Sequence, residues 1–298
     1  MKNNLIYLLS ILLIGLSSCK KDPAEEPKII FKVQFDPTLP RLNSFGQEAT
    51  IPSDHAAQNP VFNKLSAHYV ELSPNAYTAL GAGEVLYLAP ELSIGGQNAI
   101  DFSKSIAVGH NEAFFSLPIK EVAVGTYEWL RVSLAYQNYD IDFRITNPLD
   151  TTQNIDLKGT VASFIGYNTY INSYVIKNQS KLINAAKKQG YWGFETTAYG
   201  QTYVTDGQAP AGATTVVNPL FASSPIPAGS CVVTAKFDSP LQISGEENEN
   251  IIVNVRLSTN KSFEWNDAAS PDGVYQPDKG DFPVDMGIRG METNWIKE

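Results

Sequence analysis

Acidic residues are concentrated near the C-terminal end of the chain, in a segment that also carries glycine and proline. Asp267, Asp272 and Asp278 are its calcium candidates, and Asp281 and Asp285 follow them. Calcium binds six to eight oxygens, which loops of this composition can supply. The spacing does not match an EF-hand loop, and the alternative is turn chemistry, in which Asp caps turns and Gly supplies positive φ. Both interpretations stay open, and the sequence predicts no other metal site and no cofactor.

A second pair of carboxylates lies in a segment that alternates like a strand. Asp140 and Asp142 are two residues apart, so their side chains should project from one face as near neighbours. Paired carboxylates can hydrolyse a glycosidic bond when they flank it. The alternative is a solvated outer face with Arg144 nearby. The chain contains no serine-hydrolase elbow, Walker loop, zinc-protease motif or Cys-x-x-Cys, which favours a binding or structural role.

Aromatic residues are frequent between residues 167 and 203, where exposed rings could stack on sugars or form a protein interface. The set comprises Tyr167, Tyr170, Tyr191, Trp192, Tyr199 and Tyr203. The alternative is that most of these rings fill the core. The sequence does not decide between the two and assigns no ligand-binding residue.

The first 18 residues have the pattern of a secretory signal peptide. Lys2 supplies a positive charge, and residues 5–16 are almost wholly apolar. This apolar stretch is shorter than the roughly 20 residues that a membrane-spanning helix needs. The sequence therefore predicts export rather than a transmembrane anchor.

The four residues Leu16-Ser17-Ser18-Cys19 resemble the lipobox of bacterial lipoproteins. The resemblance implies that the Cys19 thiol receives a diacylglyceryl group, that the chain is cut before it, and that the new amino terminus is acylated, for instance with palmitate. Lys20 at the second mature position implies the outer membrane or cell surface of a Gram-negative bacterium. Residues 20–27 combine charge with proline, which is typical of a flexible tether. The alternative is an ordinary secreted protein.

Composition excludes some partners and disulfides. The chain has 22 Lys and Arg against 31 Asp and Glu, and without residues 1–18 its formal net charge changes from −9 to −10. Nucleic acid is therefore an unsuitable partner, because it requires a basic surface. With Cys19 acylated, Cys231 has no partner for a disulfide and is expected to be a small buried residue. His55, His68 and His110 have no metal-ligand spacing.

The remaining chain has the pattern of an all-β protein with short strands and frequent turns. Residues 28–35, 62–72 and 122–145 are its clearest strands, and a change of apolar parity near Gln137-Asn138 predicts a bulge or a turn there. The spacing of apolar residues over 179–188 permits a short helix, although its flanks favour strands. Residues 241–243 and 251–257 are predicted to pair across a hairpin, and residues 263–285 are predicted to be a loop.

Three segments in the same order resemble parts of the methanobactin-partner-like β proteins. They are Phe62–Ser73, Val124–Leu134 and Gln189–Glu195. The resemblance implies a β fold, and some members of that family are associated with copper. Residues 135–139 read AYQNY and lack the histidine-bearing segment of the family, so no copper ligand is assigned.

Together these features predict a signal peptide (1–18), a lipidated tether (19–27) and an antiparallel β-sandwich with long loops (28–298). The alternative organisation is two β units divided near residues 147–155. The predicted function is that of an envelope protein anchored to the membrane through Cys19, with a non-enzymatic binding or structural role toward a protein or a glycan. The alternative function is an extracellular glycan hydrolase that uses clustered carboxylates.

Overall fold

The computed structural model describes residues 26–94, 98–209, 217–224, 231–268 and 271–298. The predicted signal peptide, Cys19 and most of the tether lie outside these residues. Within the described ranges the chain forms nineteen strands and three short 3-10 turns. The predicted all-β fold with mainly antiparallel sheets is therefore confirmed. No helix in these ranges is long and apolar enough to cross a membrane.

The strands follow one another along the whole described chain. They are β1 (Lys28–Asp36), β2 (His55–Gln58), β3 (Val61–Ser73), β4 (Glu84–Leu88), β5 (Glu91–Leu92), β6 (Ala99–Asp101), β7 (Ala107–Val108), β8 (Ala113–Pro118), β9 (Gly125–Thr146), β10 (Asn154–Phe164), β11 (Asn168–Val175), β12 (Ser180–Lys188), β13 (Tyr191–Ala198), β14 (Gln201–Gln208), β15 (Val232–Ile243), β16 (Ile251–Ser258), β17 (Phe263–Asn266), β18 (Phe282–Met286) and β19 (Met291–Lys297). The 3-10 turns are Phe102–Lys104, Ile119–Glu121 and Pro277–Lys279.

Strand β9 is the longest, and it connects two parts of the main sheet. One edge pairs with β3, while the other pairs first with β15 and then with β10. The change of partner falls at Ala135, whose carbonyl accepts hydrogen bonds from the N–H groups of Ile165 and Gly166, both at 2.9 Å. Ala135 also has no partner in the register with β3, so it forms a bulge. The sequence predicted a bulge or a turn nearby, and the strand bulges without turning.

The second half of β9 lies in a sheet with β10, β13 and β14 that is covered on both faces. One face carries Tyr136, Phe164 and Tyr191, which pack against β11 and β12. The other face carries Tyr139 and Ile141, which pack against the small sheet formed by β2, β17 and β18. This alternation follows from the two-residue period of a strand. The largest core is separate and buries side chains of β1, β3, β8, β9, β15 and β16.

Three sequence predictions need correction. Residues 180–188 form β12 and not a helix, because they pair with β11 and alternate between exposed and half-buried positions. Residues 241–243 and 251–257 do not pair as a hairpin, because β19 runs between β15 and β16. The predicted loop at 263–285 contains β17 and β18, which pair with each other. Residues 147–153 form the turn between β9 and β10, which pair along the whole of β10.

Candidate functional site

An apolar cleft of about 450 Å³ opens between the β9–β10–β13–β14 sheet and the small sheet. Twelve of its fourteen lining residues are apolar or aromatic, and the two polar ones are Thr205 and Gln208. The lining consists of Ile141, Phe143, Val161, Trp192, Phe194, Thr205, Gln208, Ala209, Phe263, Tyr275, Pro277, Phe282, Pro283 and Met286. The cleft exists because the small sheet covers only part of this apolar face. Its size and lining are typical of ligand sites, which measure about 300–1,000 Å³.

Glycines hold the aromatic floor of the cleft close to the sheet. A Cβ atom on Gly207 would lie 2.7 Å from Cζ2 of Trp192, to which Gly207 is paired in the adjacent strand. A Cβ atom on Gly159 would lie 2.2 Å from the ring of Phe194. The two aromatic rings therefore occupy the space that a Cβ atom would fill if residue 207 or 159 were not glycine. Rings that cover strand glycines in this way are also known to protect the sheet backbone.

The opposite wall comes from the acidic C-terminal segment and from β18. Tyr275 accepts a hydrogen bond through its carbonyl from the N–H of Arg144 at 2.8 Å. Asp278 accepts another through Oδ2 from the N–H of Thr146 at 2.7 Å. These bonds attach the segment to β9. Phe282, which is 55% exposed, forms the rim of this wall.

A polar depression of about 450 Å³ adjoins the cleft and shares Phe143 and Tyr275 with it. Its charged residues form two cross-strand ion pairs between β9 and β10. Lys158 Nζ lies 2.5 Å from Asp142 Oδ1, and Arg144 Nε lies 2.6 Å from Asp156 Oδ1. The hydrogen bond and charge of Asp142 raise the pKa of Lys158 above its ordinary value. Both pairs are exposed to solvent.

Neither predicted carboxylate lines the cleft, and Asp142 is the one that lies next to it. Asp142 borders the polar depression. Asp140 accepts a hydrogen bond from Thr160 Oγ1 at 2.5 Å and lies 3.7 Å from the ammonium of Lys177. Each carboxylate is therefore engaged with a neighbouring lysine, as the solvated-face interpretation expects. Their catalytic role stays a prediction.

Four of the six aromatic residues singled out in the sequence divide among three environments, while Tyr167 is 37% exposed and Tyr170 is half-buried on β11. Trp192 lines the cleft. Tyr191 is buried in the core beneath the other face of the sheet. Tyr199 and Tyr203 are exposed on the β13–β14 hairpin. Of the six aromatic residues, Trp192 alone lines the cleft, and the sequence did not single out Phe143, Phe194 or Phe282, whose contribution depends on how the small sheet docks.

One arrangement of catalytic residue types escaped the sequence reasoning. His68 Nδ1 lies 3.1 Å from Ser133 Oγ, and its Nε2 lies 3.8 Å from Glu91 Oε1. Tyr167 donates its hydroxyl to the same Glu91 oxygen at 2.8 Å. Burial lowers the pKa of His68 below its ordinary value. Ser133 is only 4% exposed, which makes it unsuitable as a nucleophile for an external substrate.

Cys231 is buried, as its sequence context predicted. Burial raises the pKa of its thiol to about 12, so the thiolate is not populated near neutral pH. The described ranges contain no group of three or more His, Cys, Asp or Glu side chains placed to hold a metal ion.

The comparisons add no relative to this picture: no family model, no curated protein and no solved structure matches the chain. The resemblances to lipoproteins and to the methanobactin-partner-like proteins therefore stay predictions.

Proposed function

We propose that this protein is a lipid-anchored binding protein of the bacterial envelope, non-enzymatic, whose cleft receives apolar side chains of a protein partner. The observation that carries the proposal is the apolar cleft with its aromatic floor of Trp192 and Phe194. The lipobox-like sequence around Cys19 supports the location at the outer membrane or cell surface. The net negative charge supports a partner other than nucleic acid.

The composition of the cleft favours a protein segment over a glycan. A sugar ring presents a hydroxyl group at almost every carbon, and each buried hydroxyl without a partner costs about 1–3 kcal/mol. Among the described lining residues, Thr205 and Gln208 are the polar side chains, and the rings of Trp192 and Tyr275 add one N–H and one hydroxyl group. Aromatic and aliphatic side chains of a partner would need no such bonds, and buried anchors of that kind dominate protein interfaces.

The experiment is a peptide-display selection on the full chain, run beside a glycan array. We expect selected peptides to share apolar or aromatic positions. Trp192→Ala should weaken their binding about 30-fold, which corresponds to the loss of an anchor worth about 2 kcal/mol. Tyr203→Ala is the matched control, because Tyr203 is exposed on the same β13–β14 hairpin as Trp192 and does not line the cleft.

Two outcomes would overturn the protein-partner proposal. The first is a glycan whose binding depends on Trp192, which would make the cleft a sugar site. The second is peptide binding that Trp192→Ala leaves unchanged.

The hydrolase alternative rests on the polar depression, where Asp142 and Asp156 are both present but each is paired with a cation.

A further inference from the structure

The acidic segment behind the cleft holds three oxygens that are buried and lack a hydrogen-bond partner. They are Oδ1 of Asp267, Oε1 of Gln276 and Oδ1 of Asp281. Gln276 is 0% exposed, and the two aspartates are about 95% buried. A buried carboxylate or amide oxygen without a partner is costly, because it has lost its bonds to water. Each of these oxygens can therefore accept a bond from a buried water or bind a cation.

The other polar atoms of the same residues are bonded within one loop, between residues 267 and 281. The N–H of Gln276 donates to Oδ2 of Asp281 at 2.7 Å, and its amide Nε2 donates to Oδ2 of Asp272 at 2.6 Å. The N–H of Gly273 donates to Oδ2 of Asp267 at 2.9 Å. The carboxylates of the loop thus accept hydrogen bonds from the loop itself, and Gln276 lies between Asp272 and Asp281.

The charges in this segment are unbalanced. The carboxylates of Asp267, Asp272 and Asp278 are close enough to Asp281 for their like charges to act on it. A cation between these carboxylates would remove the repulsion.

We propose that this segment binds one calcium ion through Asp267, Gln276 and Asp281. Calcium binds carboxylate, amide and main-chain oxygens in irregular geometry, whereas magnesium requires a nearly regular octahedron of ligands. The ligand set also differs from the histidine and thiolate sets that zinc and copper prefer. Two carboxylates and one amide supply fewer than the six to eight ligands required, so main-chain carbonyls and water complete the shell.

This site revises the calcium hypothesis drawn from the sequence. Asp267 is retained, but Asp272 is exposed and accepts bonds at both carboxylate oxygens, and Asp278 is exposed and bonded to β9. Asp272 accepts bonds from the N–H of Val274 and from Gln276, and Asp278 accepts the bond from Thr146. Gln276 could not be foreseen, because an amide in a loop carries no metal-binding signal of its own.

The ion would lie directly behind one wall of the cleft. Tyr275 and Pro277, which flank Gln276 in the chain, both line the cleft. Binding of calcium would therefore hold this wall in place. The site itself is independent of what the cleft receives.

Calcium titration of the EDTA-treated full chain, followed by calorimetry, tests the site directly. We expect one ion per chain, with a dissociation constant of about 1 mM or tighter, as in extracellular calcium sites, and weaker binding of magnesium. The thermal midpoint should rise by several degrees in excess calcium, because the ion binds the folded state.

The decisive variants keep the hydrogen bonds and remove charge. Asp281→Asn retains an acceptor for the N–H of Gln276, so it should fold, raise the midpoint in EDTA and lose the calcium response. Asp278→Asn, in the same segment, is the matched control and should bind calcium as the wild type does. Absence of uptake at about 10 mM calcium, well above the range of extracellular sites, would overturn the proposal. Undiminished uptake by both Asp281→Asn and Asp267→Asn would overturn it as well.

Discussion

His55 Nδ1 lies 2.6 Å from Oε1 of Glu264, which joins β2 to β17 at the edge of the small sheet. The other carboxylate oxygen of Glu264 contacts the guanidinium of Arg41 and lies 3.8 Å from that of Arg289. Arg289 also pairs with Asp285 at 2.5 Å. Glu264 therefore links the loop before β2 to the segment after β18, and so anchors the small sheet that forms one side of the cleft.

Removal of the Glu264 charge should destabilise the fold. Glu264→Gln keeps the size of the side chain but leaves Arg41 and Arg289 without their shared counter-charge in a buried site. Breaking a buried ion pair on one side costs about 3–5 kcal/mol. Glu292→Gln is the control, because Glu292 forms a largely exposed pair with Arg256, and such pairs contribute about 1 kcal/mol or less. Urea unfolding at neutral pH measures both, and equal losses would contradict the expectation.

The carboxylate of Glu264 should also make the free energy of unfolding depend on pH in the acidic range. Burial opposes ionisation of Glu264, but the hydrogen bonds from Arg41 and His55 and the positive charges of Arg41 and Arg289 outweigh it, so its pKa lies below the ordinary value of 4.5. Its stabilising contribution is therefore present above about pH 4.5 and is lost as the pH falls through the lower, folded-state pKa. The difference in unfolding free energy between wild type and Glu264→Gln should shrink as the pH falls below the ordinary pKa of 4.5. A constant difference would show that the charge of Glu264 is not the cause.

Much of the fold could be predicted from local pattern, because a half-covered strand records its burial in alternation. The strand beginning at Lys28 and the long strand ending at Thr146 were both recognisable in this way. Which strands pair with one another could not be predicted from local sequence. The insertion of β19 between β15 and β16 depends on residues about 40 positions later in the chain. The local sequence favoured a hairpin because it contains no information about β19.

The candidate site was less predictable than the fold. Trp192 was singled out as an aromatic residue, but Phe282 lay in a segment interpreted as loop. The apolar cleft needs the small sheet to dock on β9 and β10, and this contact involves residues more than a hundred positions apart. Gly207 carried no signal either, since its role depends on the ring of Trp192 across the strand pair.

Gly207→Ala should disturb the cleft without touching any ligand. The added Cβ atom would lie 2.7 Å from the indole of Trp192, so the ring must shift. We expect peptide binding to fall about tenfold, with a loss of stability of about 1–3 kcal/mol from overpacking. Thr202→Ala, on the same strand but outside the cleft, is the control. Unchanged binding by Gly207→Ala would argue that the position of Trp192 does not matter.

The hydrolase alternative has its own test. Chromogenic glycosides incubated with the full chain should show no turnover above buffer if the protein only binds. Should turnover occur, Asp142→Asn must abolish it, because Asp142 is the member of the predicted pair that borders the polar depression. Asp140→Asn then shows whether turnover also requires the other carboxylate of the pair. Turnover that is lost in either variant would refute the non-enzymatic proposal.

Membrane attachment should depend on Cys19 and not on Cys231, the other cysteine of the chain. Each buried methylene of an acyl chain contributes about 0.8 kcal/mol, so two or three chains on Cys19 would hold the protein firmly while none would leave it free. Cys19→Ala should move the protein from the membrane fraction to the soluble fraction and stop incorporation of labelled palmitate. Cys231→Ala is the matched control, because that thiol is buried and should leave attachment unchanged. Retention of Cys19→Ala in the membrane fraction at the wild-type level would refute lipid anchoring.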